Sequence, residues 1–453
     1  MASLNILSLL ILSLSLFISP SFSFPYTLQL SQNSYTSQNP QDIISDIAKS
    51  TLHRAHHIKH NKNNPYTTSS SSIPLFARST GDYSISLSIG TPPQIIPAFF
   101  DTGSSLVWVP CTSKYVCSNC TQNNSTITTF KPRLSSSKKH INCHNKKCQW
   151  LDEPGVPVSC PKCNRSSTDC TKPCFYIQEY GAGDTSGVAI FENLNLRNKV
   201  VNKFFVGCSQ ISDQMPEGIV GFGRSPMSLP NQLNLNKFSY CLVSHKFDDT
   251  SKSSNLILGN PGNISGVSYT PLLKNPPTLP FNTYYYVQLE QITVNYKTVK
   301  LPRKLLYTDS NDNGGTIVDS GSTLTSLASS LFDPVANEYI AQLPRAQQKR
   351  VIIGQSSLGN LVCVNVTGWK RMVLPEVGFE FKGGAKMDIP VDNYLNGGPG
   401  LKCLPFVNVT FYVGPFELSD SGPAVILGNY QQQNFHIEYD LKNQRLGFKK
   451  QIC

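Results

Sequence analysis

Beyond its first two dozen residues, this 453-residue chain has no apolar run long enough to cross a bilayer, which takes about 20 residues. Its last residues, Lys449 to Cys453, also lack the hydrophobic tail of a lipid-anchor signal. No stable membrane insertion is expected. Long helical periodicity is scarce, so the chain reads as mainly β. Histidine is sparse where a nucleophile would need a base. Of eight, four (His53, His56, His57 and His60) fall in an upstream segment, and His140, His144, His245 and His436 stand in no recognisable nucleophile setting, which argues against a serine hydrolase. Acidic residues are also few, 28 against 39 Lys and Arg, for a net charge of +11. Because the bases are scattered and few stand in runs, the expectation is a solvated basic surface and no nucleic-acid partner.

What is present points to secretion. Leu4 to Ile18 is almost wholly Leu, Ile, Phe and Ser, with small residues around Ser21 to Ser23, so residues 1–23 read as a signal peptide. All fourteen cysteines lie from Cys111 onward, an even number compatible with seven bridges. Nine of them crowd between Cys111 and Cys174, including Cys117-x-x-Cys120 and Cys160-x-x-Cys163 near His140 and His144. In a cytosolic chain that spacing would suit zinc. In a secreted one disulfides are expected, with no metal and no cofactor. Asn119, Asn123, Asn124, Asn164, Asn263, Asn365 and Asn408 each open a glycosylation triplet.

The length favours two lobes, since one core rarely organises so long a chain. Residues 24–79 are polar and carry Arg54, Lys59, Lys62 and the four histidines. They read as a propeptide able to lie over an acidic cleft, and histidine protonation below about pH 6.5 would alter that contact. From Asp82, apolar Tyr83, Ile85, Leu87 and Ile89 alternate with serines, the period of a half-buried strand. Phe435 to Phe448 shows the same texture around a turn at Lys442 to Gln444. Short helices are expected near Pro226 to Leu235 and Ser329 to Gln342. A Pro/Asn-rich stretch, Asn275 to Phe281, is the candidate hinge. The expected organisation is an N-terminal lobe at 80–272 with a Cys-rich insertion at 111–174, a linker at 273–280 and a C-terminal lobe at 281–453.

One internal echo carries the chemistry. Phe99-Phe100-Asp101-Thr102-Gly103-Ser104-Ser105 returns as Ile317-Val318-Asp319-Ser320-Gly321-Ser322-Thr323, and Gly218 to Gly223 matches Ala424 to Asn429 in an apolar-apolar-Gly pattern. Glycine allows a tight turn whose amide can approach the carboxylate, and the hydroxyls can fix its orientation. If the two lobes bring Asp101 and Asp319 together, both cannot easily ionise. The anionic member can then deprotonate a water while the protonated member hydrogen-bonds the scissile carbonyl.

With these motifs the sequence resembles the pepsin-like aspartic proteases, and within them the plant nepenthesin-type group, from about Asp82 to Cys453. The resemblance implies a bilobal fold of two β-barrel-like lobes around a cleft, and endopeptidase activity at acidic pH on protein or peptide substrates. It places Asp101 and Asp319 at the catalytic positions. Thr102 and Ser320 match the hydroxyls that lock the loops across the interface, Ser104 and Ser322 those that bond the carboxylates, with Gly103 and Gly321 between. Tyr180, followed by Gly181, resembles the flap tyrosine, supported by Trp108; Ala182 stands where relatives often have an acid. The resemblance further implies Cys241–Cys453 and Cys363–Cys403 bridges, leaves the dense cluster unpaired, and suggests a secreted monomer in the apoplast, cell wall or vacuole. An alternative is a catalytically silent protein of this fold that inhibits cell-wall glycosidases.

Overall fold

A computed structural model describes residues 26–32, 47–48, 50–52, 54–55, 58, 82–120, 124–151, 171–181, 183–196, 199–244, 254–259, 264–348, 351–353, 361–369, 373–396, 399–409 and 422–453. The expected signal peptide, the four upstream histidines, the Ser/Thr stretch before Asp82, and Asn123, Asn164 and Asn263 lie outside these residues.

Strands dominate. In chain order the first half contributes β1 (Tyr26–Gln32), β2 (Tyr83–Ile89), β3 (Gln94–Asp101), β4 (Val107–Pro110), β5 (Val116–Ser118), β6 (Lys139–His140), β7 (Phe175–Tyr180), β8 (Gly183–Leu196), β9 (Lys199–Asp213), β10 (Gly218–Gly221), β11 (Lys237–Cys241), β12 (Ser254–Leu258) and β13 (Ser268–Pro271). With the antiparallel closing strands Phe435–Asp440 and Arg445–Lys450 they form one sheet of fifteen strands, so both ends of the chain share it. The alternation read from β2 holds from Ile85 onward: Tyr83, Ile85, Leu87 and Ile89 are buried and Ser86 and Ser88 are not, but Ser84 is buried as well, and the strand pairs β3 in register from Ser84 opposite Phe99 to Ile89 opposite Gln94. β1 lies between β12 and β2, antiparallel to both.

Three smaller sheets belong to the second half, among the described residues. In one, strand Thr316–Val318 runs parallel to Val425–Leu427, as β3 runs parallel to β10 in the large sheet. The apolar-Gly echo seen in sequence is therefore the strand that flanks each aspartate-bearing strand. Helices are few. Ser329–Gln342 forms as expected, burying Leu331, Phe332, Val335, Ala336 and Tyr339 on one side, while the region from Pro226 to Leu235 yields only the single turn Leu229–Gln232.

The described residues between 47 and 58 are helical. Ile47, Ala48, Thr51, Leu52, Ala55 and Ile58 are buried, the spacing of one helical face. The apolar members pack with Phe281, Tyr284, Leu324, Ile426 and Tyr430 of the second half, and the Leu324 amide donates to Thr51 Oγ1 at 3.1 Å.

Among the described residues, disulfides join Cys111 to Cys208, Cys117 to Cys120, Cys148 to Cys174, Cys241 to Cys453, and Cys363 to Cys403. Cys111 thus leaves the dense cluster and ties β4 to the distant β9. The Asn275–Phe281 stretch is held in place: Asn275 Nδ2 donates to the carbonyls of Asn282 and Tyr284, and Arg224 donates to the Asn275 side chain.

Candidate functional site

Each repeated loop turns its aspartate inward in the same way. β3 ends at Asp101, whose carboxylate accepts the Gly103 amide at 2.8 Å and the Ser104 hydroxyl at 2.5 Å. Asp319 follows Thr316–Val318 and accepts the Gly321 amide at 2.9 Å and the Ser322 hydroxyl at 2.7 Å. The loops then lock to each other. The Thr102 amide donates to Ser320 Oγ at 3.0 Å and the Ser320 amide to Thr102 Oγ1 at 2.8 Å, while those hydroxyls donate across to the carbonyls of Val318 and Phe100. Though 218 residues apart in sequence, the two loops form one symmetric unit.

The approach is close enough to explain the glycines. A methyl group on Gly103 would strike the Asp319 carboxylate, and one on Gly321 would strike that of Asp101. Both carboxyls are almost fully buried. Behind the second loop, Asn429 donates from its side chain to the Ser320 carbonyl, and its amide donates to the Ser322 carbonyl. Sequence reasoning did not assign Asn429 a role; its place directly after the second apolar-Gly echo was the available signal.

Arg54 is the second feature beyond the sequence-level assignment. Its guanidinium bridges the pair, with Nη2 at 2.8 and 3.0 Å from the two Asp101 oxygens and Nε at 3.2 Å from Asp319 Oδ2. Burial tends to raise the Asp101 carboxyl, yet the Arg54 charge with the Ser104 and Gly103 hydrogen bonds holds it below the usual range. Asp319 moves the other way: burial and the Asp101 charge raise it, against the pull of Arg54. One aspartate is thus favoured as the anion and the other as the acid.

Tyr180 closes β7 beside this site. Trp108 Nε1 donates to its hydroxyl at 3.0 Å, both rings are buried, and a methyl on Gly181 would meet only Arg54 among its three nearest neighbours. A cavity of about 430 Å³, counting space open to solvent, remains beside Arg54 between Glu179 and Tyr180 on one side and Thr283 and Tyr284 on the other. Among the described residues no cluster of His, Cys, Asp and Glu could hold a metal.

The glycosylation candidates divide. Asn119 and Asn124 are exposed and Asn365 is half-buried. Asn408 must be withdrawn: it is 1% exposed and its Oδ1 accepts the Ser329 hydroxyl, leaving no path for a glycan in the folded chain.

Two strand-end aspartates held face to face by reciprocal hydroxyl–amide bonds, between two halves built on one plan, define a paired-carboxylate protein of the acid-protease class. Models of the xylanase inhibitor N-terminal and C-terminal domains match residues 83–260 and 284–450. A probable aspartyl protease of Arabidopsis thaliana is 31% identical over 437 residues, covering 84% of this chain and 84% of its own. Nepenthesin-1 of Nepenthes gracilis is 31% identical over 382 residues, covering 82% and 78% respectively. The chain belongs to the pepsin-like aspartic protease family. Its fold is also that of the soybean basic 7S globulin, with a TM-score of 0.59 and 21% identity over 83% of this chain and 92% of that one. Lupine conglutin gamma matches with a TM-score of 0.61 and 16% identity over 94% and 95%.

Proposed function

We propose that the chain is an aspartic endopeptidase, secreted as a latent monomer, that hydrolyses peptide bonds of protein or peptide substrates at acidic pH. The observation that carries this reading is the Asp101–Asp319 pair with its complete set of supporting hydrogen bonds. Asp101 as the anion takes a proton from water as that water attacks the scissile carbonyl. Asp319 in its protonated form donates to the carbonyl oxygen, where negative charge develops. Tyr180 closes over the substrate, with its hydroxyl oriented by Trp108.

The helical stretch around Arg54 acts as the inhibitory prosegment in this reading, because it occupies the place of the attacking water and scissile bond. Acid opposes it. Arg54 lowers the proton affinity of both aspartates. By linkage, protonating either carboxyl weakens the guanidinium's hold, so the latent state is favoured above the carboxylate range and lost as pH falls through it.

A second reading draws on the xylanase-inhibitor name of the matching domain models. A silent inhibitor has no need of an intact carboxyl pair, yet here every hydrogen bond around it is present. The deciding experiment exposes acid-treated protein to a denatured polypeptide, with and without a statine inhibitor. Cleavage that stops with the inhibitor and falls by at least about a thousandfold in Asp101→Asn and Asp319→Asn is expected. No cleavage at any acidic pH, after removal of the prosegment, would overturn the enzyme reading.

A further inference from the structure

The two aspartate loops repeat each other closely, and one side chain breaks the repeat. In the first half, the Gly223 amide donates to the Ser104 carbonyl at 2.7 Å; in the second, the Asn429 amide donates to the Ser322 carbonyl, also at 2.7 Å. Ser104 and Ser322 each stand three residues after their aspartate, so Gly223 and Asn429 occupy equivalent places. Only the second has a side chain. A methyl on Gly223 would meet Ser105 Oγ at 2.6 Å and the carbonyls of Ser104 and Thr283, so the first half has no room for one.

Asn429 is fully buried, and its Nδ2 donates to the Ser320 carbonyl at 3.0 Å. That carbonyl shares its peptide group with the Gly321 amide, which donates to Asp319 Oδ1 at 2.9 Å. A peptide whose carbonyl accepts a hydrogen bond is a better donor at its N–H, because bonds in a chain polarise one another in a low-dielectric interior. The carboxamide therefore acts on the Asp319 carboxylate through one peptide group. In the first half the corresponding peptide joins Thr102 to Gly103, whose amide donates to Asp101 Oδ1 at 2.8 Å. Gly223 has no side chain to offer the Thr102 carbonyl.

We infer that Asn429 is a positioning residue that stabilises the anionic form of Asp319 and so holds down the pH above which the pair loses its working proton, an inference that rests on the protease reading for the use of that proton. The assistance falls on the carboxyl that needs it. Burial and the Asp101 charge raise Asp319, and an acid that held its proton too tightly would be a poor donor to the scissile carbonyl. The charged groups facing Asp319 are Arg54, Asp101 and Asp82, with the phenols of Tyr240 and Tyr439, which burial keeps neutral. Asn429 itself has no charge to titrate.

Acid-treated full chain is assayed on a fluorogenic peptide across pH, as parent, Asn429→Ala and Asn429→Asp. The upper limb of kcat/KM reports loss of the pair's last proton. It should move up by about half a pH unit in Asn429→Ala, which removes one polarising bond from a charge-assisted chain. Asn429→Asp keeps the shape and should move it at least as far, because its carboxylate adds a like charge. Asn393→Ala is the control. Asn393 is also a fully buried carboxamide, but it donates to the carbonyls of Tyr430 and Gln433, neither in an aspartate loop. It should lower stability without moving the limb.

Urea unfolding of the full chain gives a reading free of activity. In the Asp101→Asn background, which cannot process itself, Asn429→Ala should destabilise more at about pH 7 than at about pH 3, because the bond it removes favours the anion. Replacing Asp319 with Asn as well should abolish that pH dependence. An unmoved limb or one moved down, an equal shift in Asn393→Ala, or a destabilisation the same at both pH values would each overturn the proposal. If the parent cleaves nothing, the protease reading fails, while the unfolding comparison still decides the role of Asn429.

Discussion

Arg54 shows how much one side chain can decide. Its guanidinium has two carboxylates as partners and no route to neutrality, because both negative charges favour its protonated form even though burial opposes it. Latency cannot then be relieved by deprotonating the plug; only the aspartates can titrate. Replacing Arg54 with Gln removes the cation while leaving its helix, and breaking such a buried pair costs about 3–5 kcal/mol. The full-length variant should cleave a fluorogenic peptide without acid treatment, at a rate on the order of a hundredfold above the parent. Gly181→Ala makes an independent test. The added methyl would meet Arg54 Cα, N and Cβ, atoms of the proposed prosegment and not of the protease body. It should lower the acid needed for activation while leaving the thermal stability of the processed protein nearly unchanged. A variant as latent as the parent would contradict the assignment of Arg54 as the plug.

At the scale of elements, the parts legible in sequence were those set by local pattern. The serine alternation of β2 needs only a half-buried pleat, and the helix Ser329–Gln342 keeps its apolar residues on one face. The two aspartate loops were legible because the same five-residue pattern occurs twice, each beside an apolar-Gly strand. What escaped depends on distant partners. The helical face from Ile47 to Ile58 acquires meaning only against Leu324, Ile426 and Tyr430. Asn408 satisfies a glycosylation triplet that its strand buries against Ser329. Cys111 bonds to Cys208, 97 residues away, so its pairing could not be read from its crowded neighbours. The Cys241–Cys453 bond, which the family resemblance did imply together with Cys363–Cys403, is longer-ranged still, at 212 residues, and fastens Cys453 beside β11, which pairs with the closing strand at Cys241 and His436. Replacing both cysteines with Ala should cost about 3 kcal/mol of stability, chiefly by freeing the unfolded chain. Denaturant unfolding would register that as a lower midpoint; an unchanged midpoint would mean the strand pairing alone holds the end.

For the molecule as a whole, two half-buried carboxyls, Asp82 and Glu217, make stability depend on acidity. Glu217 immediately precedes β10, the parallel partner of the Asp101 strand; its Oε2 is buried with no hydrogen-bond partner among the described residues, and burial pushes the group up to about 7. Asp82 is likewise raised to about 7, by burial first and then by the charges of Asp101, Asp319 and Glu217, against Arg54. Both therefore hold their protons more tightly in the folded chain than in the unfolded one. The stability they contribute is complete below the ordinary carboxylate range and declines as pH rises toward about 7. For Glu217, partly open to solvent, the effect is on the order of 2 kcal/mol. The contribution of these two groups is thus greatest in the acidic conditions in which the proposed dyad would work. Glu217→Gln keeps the shape and removes the titration. Urea unfolding across this pH interval should show the parent losing stability as pH rises and the variant losing less, by about that amount. Parallel pH profiles would mean that Glu217 ionises in the folded state as freely as in the unfolded one.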